Sequence, residues 1–75
     1  MPSLRRQLDQ AREHLAQVRL RIEEQTTLIE RLRSDGYSAE PAERILATYI
    51  DLMGKLAVHQ ETLEREAEER SRNAN

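Results

Sequence analysis

Apolar residues step along this 75-residue chain at alternating intervals of four and three, and that spacing constrains the fold more than any other feature. Leu4, Leu8, Ala11, Leu15, Val18, Ile22, Gln25, Ile29 and Leu32 form a first run. Ala42, Leu46, Tyr49, Met53, Leu56, Gln60, Leu63 and Ala67 form a second. A mean interval of about 3.5 residues keeps one narrow face of a helix turned toward a partner helix, as in the seam of a coiled coil. The pattern predicts two long helices, each needing a surface to pack on.

Local signals place the helix ends. Ser3 is suited to cap the first helix, because its hydroxyl can accept from an unpaired N–H of the first turn. Gly36 follows the last seam residue of the first run, where a left-handed residue closes a helix. Ser38 is the expected cap of the second helix, with Pro41 in its first turn and Glu40 and Glu43 near the positive end of its dipole. Helix one is expected over about 3–35, the turn over 36–38 and helix two over about 39–70, with 71–75 a frayed polar tail. So short a connection between long helices implies antiparallel neighbours. A turn centred on Tyr37 sets Ile29 opposite Leu46, Gln25 opposite Tyr49, Ile22 opposite Met53, Val18 opposite Leu56, Leu15 opposite Gln60 and Ala11 opposite Leu63. A strict antiparallel a-to-d pairing shifts that register a few residues either way, and the sequence fits both.

A chain this short forms one small domain, whose single core supplies no more than about 3–5 kcal/mol. Disulfides, a metal or association usually make up the difference. The sequence contains no cysteine, which excludes disulfides and thiolate ligands and fits a reducing cytoplasm. Association is the remaining ordinary route. With Tyr37 and Tyr49 as the sole aromatic residues, the bulk expected of a globular enzyme core is missing. A net charge of −2 points neither to nucleic acid nor to an acidic membrane surface. The segment Met1-Pro2-Ser3-Leu4-Arg5-Arg6 lacks the apolar region of a signal peptide, and no apolar run reaches the ~20 residues of a membrane span. These features predict a cytoplasmic protein with no membrane partner, no cofactor and no small-molecule substrate.

The second helix is apolar over more than a seam. With Leu46, Met53 and Gln60 at heptad position a, Ile45 and Leu52 fall at g and Ile50 and Ala57 at e; Leu28 takes a g position on the first helix. A lone hairpin leaves part of this width wet, whereas two hairpins packed together cover it as a four-helix bundle. Leu28, Ile45, Ile50, Leu52 and Ala57 are therefore the predicted protein-interaction residues, serving a homodimer or the helix of another protein. Leu20 and Val58 fall outside this set, as ordinary exposed apolar residues or marks of a partner site. Gln25, Tyr49 and Gln60 interrupt the seam with polar groups, which fits register setting, and Gln25 is placed to bond the Tyr49 hydroxyl.

Chemistry-bearing residues are few. His14 and His59 come near each other across the predicted hairpin, but the chain lacks the inward Glu-x-x-His pairs of a di-metal bundle. Neither Arg12-Glu13-His14-Leu15-Ala16 nor Val58-His59-Gln60-Glu61-Thr62 carries the proline-containing context of a kinase phospho-acceptor. Arg5, Arg12 and Arg19 line one flank of the first helix at seven-residue steps. They pair with Glu64, Glu66 or Glu68 in a salt-bridged hairpin, or touch phosphates in the alternative reading of a nucleic-acid-associated protein. No glycine-rich phosphate loop or nucleophile elbow is present, and a non-enzymatic module is expected.

Arg21-Ile22, Gln25, Ile29, Arg31-Leu32, Asp35-Gly36, Ala42-Glu43-Arg44-Ile45-Leu46, Leu56 and His59 together resemble a group of short, uncharacterised bacterial helical-hairpin proteins. The resemblance spans Arg21 to His59, about half the chain. Ser38-Ala39 departs from the Asp-Thr that the group tends to carry after its turn, and Pro41 is atypical of it. The resemblance implies a bacterial cytoplasmic origin and no particular activity. All told, the sequence predicts an all-α, antiparallel two-helix hairpin of coiled-coil type that dimerises into a four-helix bundle.

Overall fold

The computed structural model describes residues 3–74. Met1 and Pro2, on which the leader reading partly rests, and Asn75, the last residue of the predicted tail, lie outside the described residues. The chain forms a hairpin of two helices, α1 (Leu4–Ser34) and α2 (Glu40–Asn73), packed along their lengths.

Helix α1 starts as expected. Ser3 is extended, and its Oγ accepts from the Arg6 N–H at 3.1 Å, satisfying one of the free donors of the first turn. Arg31 and Arg33 occupy the last turn, where cations offset the negative end of the dipole. Gly36, at φ 81°, reverses the chain. Its N–H donates to the Arg33 carbonyl at 3.1 Å and the Tyr37 N–H to the Leu32 carbonyl at 2.8 Å. This is the double bond of a Schellman motif, and the left-handed backbone it requires is free of strain only at glycine.

Helix α2 corrects two expectations. Its cap is Ala39, not Ser38, and no side chain bonds the first turn. Ala39 is buried beside Ile29 and Ala42, so closing the apolar end of the hairpin takes the cap position that a serine hydroxyl would otherwise fill. Pro41, which lacks an N–H to satisfy, and the acidic Glu40 and Glu43 support this bare terminus. At the other end α2 continues to Asn73, through most of the predicted frayed tail. Arg70 pairs with Glu66 one turn back at 2.8 Å, Arg70 and Arg72 complement the dipole, and the Ala74 N–H closes on the Arg70 carbonyl at 3.0 Å.

The hairpin is a rod of 62 × 19 × 15 Å with a radius of gyration of 17.3 Å. A compact chain of this length has a radius near 11 Å. Buried residues of the two helices meet in two clusters. Near the termini, Leu8, Ala11 and Leu63 are buried together, with Leu4 and Ala67 against them. Near the turn, Ile29, Ala39 and Ala42 are buried, with Leu32 and Leu46 alongside. Ala11 with Leu63, and Ile29 with Leu46, were expected to face each other, and each pair shares a cluster. Between the two clusters Leu15 and Val18 of α1 are buried, whereas Tyr49, Met53 and Leu56 of α2 are half-open.

Candidate interaction surface

The middle of α2 is the most apolar stretch of the molecule. From Ala42 to Val58, charge enters only at Glu43, Arg44, Asp51 and Lys55. A single partner helix covers one face of such a segment. Ile45 is 47% exposed, Ile50 49% and Val58 63%; on α1, Leu28 is 41% exposed. Leu52 and Ala57 are half-buried at the edges of the packed face.

The five predicted contact residues do not form one patch. At 3.6 residues per turn, Ile45, Leu52 and His59 project to the same side of α2, whereas Ile50 lies about 140° around the axis from Ile45 and Ala57 lies near Ile50. Leu28 of α1 falls on the Ile45 side. Ile50 instead lines an open groove with Asp51, Gly54, Lys55 and Val58, on the outer surface of α2. Leu28 lines a similar groove on the outer surface of α1 with Leu20, Glu23, Glu24, Thr27 and Arg31. The sequence pattern showed the excess apolar width but treated it as continuous; the helical geometry divides it into two flanks.

Charge separates the flanks further. On the Ile50 side Arg33 pairs with Glu43 at 2.6 Å, and Arg12 approaches Glu64 at 4.0 Å. Arg12 thus meets one of its expected acidic partners, while no ion pair engages Arg5 or Arg19 among the described residues. On the Ile45 side Gln7, Gln10, Ala11, His14, Leu56 and His59 ring an open pocket of about 180 Å³ between the helices. The two histidines therefore share one site, as their positions implied, and both are exposed. Among the described residues no three His, Asp or Glu side chains gather as a metal ion would require. No helix among the described residues is long and apolar enough to cross a membrane.

The polar seam residues behave differently from one another. Gln25 donates its amide to the Ala42 carbonyl at 3.0 Å, across the hairpin, rather than to the Tyr49 hydroxyl. Tyr49 is half-buried. Gln60 donates to Glu64 at 2.8 Å, one turn on, while its own carbonyl oxygen is buried without a partner among the described residues. Leaving such an acceptor unmet costs about 1–3 kcal/mol. Neither the backbone bond of Gln25 nor the orphan oxygen of Gln60 was legible in the sequence, because both depend on the axial offset of the helices. No protein-family model, curated protein or solved structure matches the chain.

Proposed function

We propose that this protein is a small non-enzymatic interaction module that works through protein–protein contacts, and that its first partner is a second copy of itself. The exposure of Leu28 and Ile45, one on each helix and on the same side of the hairpin, carries this reading. The hairpin exposes 6058 Å². A folded monomer of its mass exposes about 4,800 Å². The excess is larger than the ~800 Å² that each partner contributes to a standard interface. The 4-3 spacing of the seam supports coiled-coil packing within the hairpin, and its width on α2 supports a four-helix bundle between two hairpins. The serines stand at helix ends or in the turn and the histidines face solvent, which favours a role through contact over catalysis.

Light scattering on a size-exclusion column tests this directly. Twice the chain mass at micromolar concentration is expected. A chain that stays monomeric up to several hundred micromolar removes self-association and leaves the same residues to the helix of a different protein.

A further inference from the structure

The two flanks of the hairpin are unequal, and their difference selects a dimer face. The Ile50 flank is bridged by Arg33–Glu43 and Arg12–Glu64, with exposed Arg19 between them on α1. Covering that flank strips water from four charges whose mutual attraction is weak at the surface. The opposite flank has apolar residues from both helices, Leu28 on α1 with Ile45 and Leu52 on α2, followed by the His14–His59 pocket. A partner seated there touches both helices, as a four-helix bundle requires.

The order of groups along this flank is self-complementary. On α2, Ile45 lies seven residues before Leu52 and His59 seven after it; on α1, Leu28 lies seven residues after Arg21 and His14 seven before it. Seven residues of helix span about 10 Å. A two-fold rotation centred at the Leu52 level therefore exchanges the Leu28–Ile45 ridge with the His14–His59 pocket. An isologous interface needs this property, because each copy must supply both ridge and socket. Resting on the self-association reading, we propose that this flank is the homodimer face: a second copy lies lengthwise and antiparallel against it. Leu52 sits at the two-fold axis, and Leu28 and Ile45 of each copy cover the pocket of the other. The dimensions agree. A lengthwise face spanning both helices, 62 × 19 Å, offers a footprint of roughly 1,200 Å², above the ~800 Å² per partner of a stable complex, whereas an end face of 19 × 15 Å offers roughly a quarter of that. Arg21, exposed at the Leu52 level, has a long stem that lets its guanidinium leave the interface for water.

The native chain has no cysteine, so single thiols report the face cleanly. Leu52→Cys on a two-fold axis meets its own copy; Ile50→Cys on the other flank does not. Under mild oxidation by glutathione disulfide, the full-length Leu52→Cys chain is expected to run at twice its mass and the Ile50→Cys chain at its single mass. Leu52→Glu is expected to weaken the dimer about a hundredfold and Ile50→Glu less than about threefold, with helical circular dichroism retained in both. If the native chain is dimeric and any other cross-linking pattern appears, the proposed face is overturned while self-association stands. A native chain that is monomeric by light scattering defeats the self-association reading itself.

Discussion

The two helices are nearly equal in length, yet they are buried very differently. Helix α1 buries Leu8, Ala11, Leu15, Val18 and Ile29, and apart from Leu20 and Leu28 it keeps its large apolar residues covered or half-covered. Helix α2 buries only Ala42, in its first turn, and Leu63, in its second half, and leaves its apolar middle half-open. Helix α1 is thus a finished amphipathic helix, with a stripe as wide as one partner can cover. Helix α2 has a stripe wide enough for two. The hairpin is therefore satisfied from one side only, and most of what remains to be packed lies on α2, with Leu28 of α1 beside it.

The largest test of this contrast compares a buried residue of α1 with an exposed one of α2. Leu15→Ala should cost about 2–4 kcal/mol in chemical denaturation, since Leu15 is 5% exposed and its loss leaves a cavity. Ile45→Ala in an isolated hairpin should stay within about 0.5 kcal/mol. A greater loss at Ile45 that grows with protein concentration locates the missing packing in a second copy; equal and concentration-independent losses at the two sites would erase the contrast between the helices.

Gly36→Ala should cost about 1–2 kcal/mol, because alanine is strained at φ 81° even though its methyl meets open space. That loss should fall on both helices together, since the Schellman closure holds them in register. Thermal melts followed by circular dichroism would show it, and an unchanged midpoint would mean that the turn contributes nothing to the hairpin.

Gln60→Leu should stabilise the chain by about 1 kcal/mol, by removing the buried orphan oxygen and adding apolar contact. A fall in stability would show that Gln60 has a partner that the isolated hairpin does not supply. The smallest effect belongs to the ion pairs. Arg33→Ala should cost no more than about 0.5 kcal/mol, since Arg33 and Glu43 are both well exposed, and the residual effect should vanish in high salt.

Much of this hairpin was legible in the sequence because its elements are long and periodic. The seam, the Ser3 cap and the Gly36 closure follow from spacing and local chemistry that act within one helix turn. The cap at Ala39 was not legible, because burial against Ile29 outweighs a hydroxyl's local bond, and burial is a tertiary property. The partner of Gln25 was missed for a related reason: which acceptor a long amide reaches depends on the axial offset of two helices. The apolar excess of α2 was visible as composition, but its division into an ion-paired flank and an apolar flank emerged only when the arms were set side by side.

If α2 completes its packing with a second copy of the chain, the stability of the hairpin rises with concentration. Thermal melting at two protein concentrations a hundredfold apart reads this out, because association that stabilises the folded state makes the midpoint depend on concentration. The midpoint is expected to lie several degrees higher in the concentrated sample, with a larger shift for the native chain than for Leu52→Glu. Identical midpoints at both concentrations would mean that α2 draws no packing from a second copy.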